Sequence, residues 1–422
     1  MSPDRRPPAI VLDDLAEPRF TDDARAILDM MAQAGSDVAL QPDALMATAV
    51  DQTGLDDFGP DDFLGRLDIL CTGLRDEARI DDAGVLAQST LVTGLLRNRL
   101  LLEDLIRRHP EILEVEVERP IVICGLPRTG STHLHNLMCA DPSLRSLPYW
   151  ESVEPVLSEG VRPDPGEVDP RRERTEMSLS VLDVVMPEFK RMHEMTVDHV
   201  HEEIQLLAID FSTMLFETIA PMPAWRDHYL ARDQRPSYAY LKKILQAMQW
   251  LRGGTRWVLK SPQHLEQFPA LFDTFPDATF VVTHRDPASV TASMVTMLAY
   301  SARIGRDRVD LPWIGQYWAD RLEQMLRACV HDRDVLPADR TTDVRFDEFM
   351  ADDIGMVKRI YEVADQPMTD EAEVAMTAFM EEHPRGRHGG VIYDLIQFGL
   401  DRQQLRESMD FYVERFGVSE EE

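Results

Sequence analysis

The sequence predicts an α/β fold, in which a parallel sheet flanked by helices is preceded by an all-helical N-terminal extension. Two observations support this prediction. Four short segments are predicted as strands, and three of them lead into a segment with helical periodicity, which is the alternation typical of parallel α/β proteins. Before the first of these segments, the chain shows helical periodicity and no strand signal. With 422 residues, the chain is long enough to bury a large core.

The N-terminal extension is predicted at residues 1–113, and the α/β domain at residues 114–422. Apolar residues recur at helical spacing in DDARAILDMMAQAG and in LVTGLLRNRLLLEDLIRRHPEIL. Asp22 and Asp23 supply an acidic start for the first helix, and Gly35 supplies its end. We expect this extension to act as a helical cap or lid on the α/β domain.

The four predicted strands are each followed by a turn or helix signal. The first, in EVEVERPIVIC, ends at Gly125, and the second, RWVLKS, follows a Gly-Gly turn. The third, ATFVVTHRD, precedes a helix with Asp286 as its N-cap and Pro287 at its first position. The fourth, DVRFDEF, leads into a helix through Tyr361. The proline-rich stretch VRPDPGEVDPRRERTEM, from Val161, predicts an exposed loop.

Charge and cysteine content narrow the partners and the compartment. The formal net charge of −31 argues against nucleic acid and anionic lipid as partners, while a small anion held by local cations remains compatible. The four cysteines form no Cys-x-x-Cys pair, which fits a reducing compartment. No signal peptide and no apolar run of about 20 residues is present. We therefore expect a cytoplasmic protein without a membrane span; the oligomeric state is not predicted.

The segment ICGLPRTGSTHLHNLM predicts an anion site. Gly125 and Gly130 stand five positions apart, and Ser131 and Thr132 follow. A strand that ends in a glycine turn and feeds a helix directs backbone N–H groups toward an anion, and the helix dipole strengthens this. The lysine of NTP-binding loops is absent, and Arg128 stands inside the loop instead. The pattern predicts a P-loop-like parallel sheet with a phosphate or sulfate site; an ordinary strand-to-helix turn is the alternative.

The stretch PRTGST resembles the 5′-phosphosulfate loop of sulfotransferases that use 3′-phosphoadenosine 5′-phosphosulfate (PAPS). The bacterial branch, which shares the arginine form of this loop with protein-tyrosine sulfotransferases, is the most similar. The resemblance implies transfer of a sulfuryl group from PAPS without a metal, with adenosine 3′,5′-bisphosphate as product. It also implies that the loop residues hold the 5′-phosphosulfate. These residues are Pro127, Arg128, Thr129, Gly130, Ser131 and Thr132.

Two further motifs resemble the 3′-phosphate site of the family. In HRDPASVTAS, Arg285 ends the third strand and Ser293 follows eight positions later, the spacing of the arginine–serine pair that grips this phosphate. A guanidinium can bind phosphate through two hydrogen bonds. The late PRGRHGG resembles the loop that closes over the same phosphate, with Arg385 and Gly386 as the matching residues and Arg387 as a second candidate cation. An unrelated surface arginine and a flexible linker are the alternatives.

Sulfuryl transfer requires a cation near the bridging oxygen and a general base. Lys260, at the end of the second strand, matches the lysine of related enzymes and would act with Arg128. Glu151 is the predicted base, because some branches of the family place a glutamate near this position, although two extra residues precede it here. Flanking aromatic residues would raise its pKa. His264, four positions after Lys260, is the rival base.

The segment HVHEEIQLL leaves three interpretations open. His199 and His201, with Glu202 and Glu203, have ligand types suited to a transition metal, but no third ligand set completes such a site. The glutamates also suit a helix start. In the resembled branch, an acidic pair near this position lines the acceptor pocket. We predict no metal site.

The predicted function is transfer of a sulfuryl group from PAPS to a hydroxyl of a small, apolar acceptor. Two alternatives remain at this stage. One is a P-loop kinase-like nucleotide phosphotransferase, against which the missing loop lysine argues. The other is a non-catalytic nucleotide-binding protein with the same fold.

Overall fold

A computed structural model describes residues 6–157 and 168–421 of the chain. Helices dominate this part of the chain, and the strands are short. The strands are β1 (Ile10–Val11), β2 (Ile121–Gly125), β3 (Val258–Ser261), β4 (Thr279–His284), β5 (Thr341–Arg345) and β6 (Val391–Ile392). The helices are α1 (Asp22–Gly35), α2 (Pro42–Thr53), α3 (Phe63–Asp76), α4 (Asp82–Arg108), α5 (Ser131–Cys139), α6 (Tyr149–Val153), α7 (Pro170–Val185), α8 (Ile204–Leu207), α9 (Pro223–Leu230), α10 (Arg235–Arg252), α11 (Phe268–Thr274), α12 (Pro287–Ser301), α13 (Leu311–Asp332), α14 (Phe346–Ala351), α15 (Asp353–Ala364), α16 (Asp370–Glu382), α17 (Arg402–Ser408) and α18 (Asp410–Phe416).

The central sheet has four parallel strands in the order β3-β2-β4-β5. Every residue of β2, β3 and β4 is buried, as expected of a parallel sheet covered by helices on both faces. All four predicted strands are present, and the predicted α/β fold is confirmed. Strand β2 lies between β3 and β4, the two strands that follow it in the chain. The chain therefore continues from β2 to β3 on one side and then crosses to β4 on the other side. In open α/β sheets, ligands bind beyond the carboxyl ends of the strands at such a point.

The N-terminal helices pack around α4, the longest helix at 27 residues. Its buried leucines, among them Leu96, Leu100 and Leu102, belong to the same apolar cluster as Val122 of the central sheet. The extension therefore shares its core with the α/β part, and the division at residue 113 stays a prediction. Within the described residues, no helix combines the length and the apolarity needed to cross a bilayer.

Two details of the chain differ from the sequence-based expectation. The fourth strand is followed by two helices instead of one, because Asp352 interrupts the run and its side chain accepts a hydrogen bond from the Gly355 N–H. Of the loop predicted from Val161, residues 161–167 lie outside the described part. From Pro170 the chain is helical in α7, with Asp169 as the N-cap. On this helix Glu173, Arg174 and Glu176 are exposed, whereas Arg171 is buried.

A second, two-stranded parallel sheet joins β1 to β6, with Ile10 opposite Val391. Strands of two residues carry no periodicity, so the sequence did not predict this pairing. The Ile10 N–H also donates to the Gly390 carbonyl at 3.1 Å. This pairing attaches the segment before α1 to the glycine-rich loop that precedes β6.

Candidate active site

The P-loop-like turn between β2 and α5 is tightly folded. A Cβ at Gly125 would lie 1.9 Å from the Thr283 hydroxyl oxygen, so a larger residue would collide there. Gly130 adopts φ 82° at the N-cap of α5, where glycine is unstrained. The Thr129 hydroxyl lies 2.8 Å from the Leu126 carbonyl and 2.7 Å from the Thr283 hydroxyl. Because Gly130 carries no capping side chain, the first N–H groups of α5 are available to an anion.

Arg128 and the predicted 3′-phosphate pair lie together. Arg128 has φ 71°, a left-handed conformation uncommon for residues other than glycine. Its Nε donates to the Ser293 hydroxyl at 2.9 Å, and Arg285 Nη1 donates to the Arg128 carbonyl at 2.7 Å. Burial lowers the pKa of the Arg128 guanidinium. Two residues separated from the loop by more than 150 positions are thus brought into hydrogen-bond contact with it.

Lys260 is held at both ends by two consecutive glutamates. Its side chain is buried, and its Nζ donates to the Thr132 hydroxyl at 3.1 Å and forms an ion pair with Glu202. Its backbone N–H donates to Glu203 Oε2 at 2.7 Å. The side chain of Lys260 is therefore directed at the start of α5, next to residues 127–132, which we call the phosphate-type loop.

His264 pairs with the second of these glutamates. Its Nε2 lies 2.6 Å from Glu203 Oε1, and its Nδ1 lies 2.7 Å from the Tyr238 hydroxyl. Burial alone would raise the pKa of Glu203, but the hydrogen bond from His264 lowers it below its usual value. Both ring nitrogens of His264 have hydrogen-bond partners inside the core. His264 therefore positions Glu203 and does not face the cavity beside the loop.

Glu151 lies in a separate, closed ion-pair cluster. Arg145 Nη2 donates to both of its carboxylate oxygens at 2.8 and 2.9 Å, and Arg252 donates to both at 3.0 and 2.8 Å. Burial raises the pKa of Glu151, as predicted, while the charge of Arg145 opposes that rise. However, Glu151 is 1% exposed and does not line the cavity beside the loop. The sequence placed it next to the transfer site, whereas the structure places it in this cluster.

A cavity of about 770 Å³ opens beside the loop. Its wall includes Arg128, Gly130 and Thr132 of the phosphate-type loop. It also includes residues 383–389 of the glycine-rich loop near the end of the chain. Lys260, Arg285 and Ser293 are not part of this wall, but each makes a hydrogen bond to Arg128 or Thr132. Although the net charge of the protein is negative, the wall has more arginine and lysine residues than carboxylates, of which it has two, Glu194 and Asp198. The basic residues are Arg128, Lys190, Arg191, Arg385 and Arg387.

The late loop is ordered by ion pairs with its surroundings. Arg385 forms an ion pair with Asp353 and donates to the Met350 carbonyl at 3.1 Å. Arg387 pairs with Glu194, which also lies 2.9 Å from His388 Nε2. Gly386 adopts φ 70°. The predicted third motif therefore faces the same cavity as the phosphate-type loop, although its arginines bind carboxylates in this state.

Histidines form much of the remaining wall; the sequence pattern suggested His199 only as a candidate metal ligand and did not single out His193. The rings of His193 and His199 have centroids 5.4 Å apart. Burial, with the charge of Lys260, lowers the pKa of His199 to about 4, and burial lowers that of His193 well below its usual value. Both rings are neutral near pH 7. Across the described residues, no three His, Cys, Asp or Glu side chains are arranged to hold a metal ion.

Comparison with known proteins gives a family match over most of the α/β part. Residues 120–370 match the model of a family described as the sulfotransferase family. Two solved structures are similar over nearly their whole length. The sulfotransferase STF1 from Mycobacterium tuberculosis H37Rv is 29% identical, with a TM-score of 0.76 over 87% of this chain and 97% of its own. The sulfotransferase STF9 from Mycobacterium avium is 26% identical, with a TM-score of 0.79 over 91% and 98%.

Curated relatives match over a shorter range. The omega-hydroxy-beta-dihydromenaquinone-9 sulfotransferases Stf3 of Mycobacterium bovis and Mycobacterium tuberculosis are 24% identical over 258 residues. The match covers 59% of this chain and 63% of the length of each relative. The predicted resemblance to PAPS-dependent sulfotransferases is confirmed by these comparisons. The closer likeness of the loop to protein-tyrosine sulfotransferases stays a prediction.

Proposed function

The chain belongs to the sulfotransferase family and is an enzyme, and we propose that it transfers a sulfuryl group from PAPS to a hydroxyl of a small apolar acceptor. One observation carries this proposal. The phosphate-type loop, Lys260, and the pair Arg285 and Ser293 meet at the carboxyl edge of the sheet, beside one cavity. Such a cluster of N–H groups and cations suits a ligand with two anionic ends.

The donor would be held by three parts of the chain. The amides and hydroxyls at residues 127–132 would take the 5′-phosphosulfate, as the uncapped start of α5 favours an anion. Arg285 and Ser293 would take the 3′-phosphate, and their hydrogen bonds to Arg128 would link the two subsites. Arg385 and Gly386 would close over the donor from the opposite wall of the cavity.

The transfer step needs charge stabilisation and a proton acceptor. The sulfur–oxygen bond to the donor phosphate breaks as a new one forms to the acceptor oxygen, and adenosine 3′,5′-bisphosphate leaves. Lys260 and Arg128 would stabilise the negative charge that develops on the leaving phosphate. We place the base at Glu202 instead of Glu151, because its carboxylate contacts Lys260 Nζ and is 15% exposed. When Lys260 turns to the donor, Glu202 becomes free to accept the hydroxyl proton.

The apolar character of the acceptor rests on the cavity and on one relative. Apolar side chains of the wall include Met192, Phe346, Met350 and Phe379. The name of the Stf3 relatives describes a hydroxylated menaquinone derivative as their acceptor. A hydroxyl on an apolar molecule would fit both observations. We keep a cytoplasmic location, and a role of the N-terminal helices in covering the acceptor side, as parts of this proposal.

Isothermal titration with adenosine 3′,5′-bisphosphate, without magnesium, tests the donor assignment. We expect saturable binding, and no binding would overturn the proposal. Magnesium-dependent binding of ATP in its place would favour a kinase-like phosphotransferase. Transfer of radiolabelled sulfate from PAPS to a panel of phenols, sterols and hydroxylated lipids then tests the acceptor class. Binding without transfer to any acceptor would favour a non-catalytic nucleotide-binding protein.

A further inference from the structure

The guanidinium assigned to the 3′-phosphate is bound by a carboxylate of the chain itself. Glu421, which follows α18, accepts from Arg285 Nε at 2.6 Å with Oε1 and from Nη2 at 2.7 Å with Oε2. The Cζ atom of that guanidinium lies 4.0 Å from the centroid of the Phe346 ring. This two-bond arrangement is the geometry in which arginine also binds phosphate.

Backbone and side-chain contacts anchor the segment 419–421. The Glu421 N–H donates to Asp286 Oδ2 at 3.0 Å, and Arg406 donates to the Glu421 carbonyl. Arg406 also pairs with Glu420 at 3.1 Å, and the Ser419 hydroxyl donates to Asp347 at 2.8 Å. These four contacts hold the backbone of the segment next to Arg285.

We propose that Glu421 competes with the 3′-phosphate of the donor for Arg285, and so sets the affinity of the enzyme for its nucleotide. The inference rests on the proposed function, since it assigns the 3′-phosphate to Arg285. Because Arg285 Nη1 also donates to the Arg128 carbonyl, exchange of carboxylate for phosphate occurs next to the 5′ loop. A nucleotide that lacks the 3′-phosphate would not displace Glu421 from Arg285.

The ion pair between Arg285 and Glu421 differs in solvent exposure from the ion pairs of the core. The side chains of Arg285 and Glu421 are 22% and 31% exposed, whereas those of the buried pair Arg321 and Glu217 are both 0% exposed. Water and salt screen an exposed pair, so the carboxylate can leave at low cost. A dianionic phosphate that accepts the same two hydrogen bonds would replace it.

The test compares Glu421→Gln with Glu414→Gln, a control that removes the same charge from an exposed position of α18. Dissociation constants are measured by calorimetry at low ionic strength for adenosine 3′,5′-bisphosphate and for adenosine 5′-phosphate. We expect Glu421→Gln to bind the bisphosphate roughly three- to tenfold more tightly than the wild type, since a competing ion pair is lost. The control variant, and the 5′-phosphate with any variant, should change by less than twofold.

Two outcomes would overturn the inference. Equal tightening in both variants would show a general charge effect, and unchanged or weaker binding in Glu421→Gln would show that Glu421 does not compete. Deletion of residues 419–421 provides a second variant and should tighten binding at least as much. If the wild type and all variants fail to bind the bisphosphate, the proposed function itself fails, and this result is distinct from binding that is unaffected by Glu421.

Discussion

Two regions of the molecule pair basic side chains with carboxylates in different ways. In the core, Arg321 donates to both Glu217 and Glu266, and every side chain of this group is at most 2% exposed. At the sheet edge, Lys260 and Arg285 each hold one carboxylate beside or behind the cavity wall, and these carboxylates are partly exposed. The same residue types therefore serve two purposes. A closed group with every oxygen paired supports the fold, while a pair open on one side can exchange its partner for a ligand.

The closed group around Glu151 belongs with the first kind. Its arginines occupy both oxygens, and the Arg145 carbonyl accepts from the Val258 N–H at 3.0 Å, next to the start of β3. Removing one member of a buried pair leaves the other charge uncompensated, so such groups cannot exchange partners during a reaction. This contrast predicts which carboxylates affect turnover and which affect folding.

The strongest test of the contrast is Lys260→Met, which keeps the packing of the buried stem and removes the charge. We expect kcat to fall about 10²- to 10³-fold, because the developing charge on the leaving phosphate loses one of the two cations assigned to it. Steady-state kinetics with PAPS measure this loss. Lys243→Met, which removes a lysine paired with Glu103 away from the cavity, is the matched control and should leave kcat unchanged. A Lys260→Met enzyme within threefold of the wild type would contradict the assignment.

Glu202→Gln addresses the open carboxylate beside Lys260. Loss of a general base typically costs about 10²-fold or more, so we expect kcat to fall by about 10²-fold. The affinity for adenosine 3′,5′-bisphosphate should not fall, since no donor contact is assigned to this side chain and Lys260 loses a competing partner. Kinetics and calorimetry on the same preparation separate the two effects. Full activity in this variant would place the base elsewhere.

Glu151→Gln addresses the closed group and should have the opposite signature. We expect the free energy of unfolding to fall by about 2 kcal/mol, less than for a fully buried pair because Arg252 is 41% exposed. Chemical denaturation measures the loss, and kcat of the folded protein should stay near that of the wild type. If kcat fell instead while stability held, Glu151 would regain the role of base that its sequence position predicted.

The sequence predicted the parts of the site that depend on local order. The strand-loop-helix at residues 121–139 and the spacing from Arg285 to Ser293 are local patterns, and the structure brings these motifs into contact. The ion-pair partners of the charged residues could not be predicted from such local patterns. Glu151 pairs with Arg252, 101 positions away, and Glu421 with Arg285, 136 positions away. These pairings depend on how distant helices pack, which periodicity and spacing do not describe.

The smallest effect concerns a third kind of polar group, the neutral histidines of the cavity wall. The pKa of His199 is lowered from 6.5 to about 4 by burial and by the charge of Lys260. Between these values the unfolded chain binds a proton that the folded protein does not, so stability falls as pH decreases from about 6.5 to 4. One such group contributes a slope of up to about 1.4 kcal/mol per pH unit.

His199→Asn should therefore flatten the pH dependence of the free energy of unfolding in that window. Denaturation at several pH values from 7 to 5 measures the slope. His331→Asn is the matched control, because it makes the same substitution at a side chain that is 84% exposed. An equal slope in wild type and His199→Asn would mean that His199 takes up its proton in the folded state, and the cavity wall would then gain positive charge on acidification. Nucleotide affinity would in that case rise as pH falls, which separates the two descriptions of the wall by a second measurement.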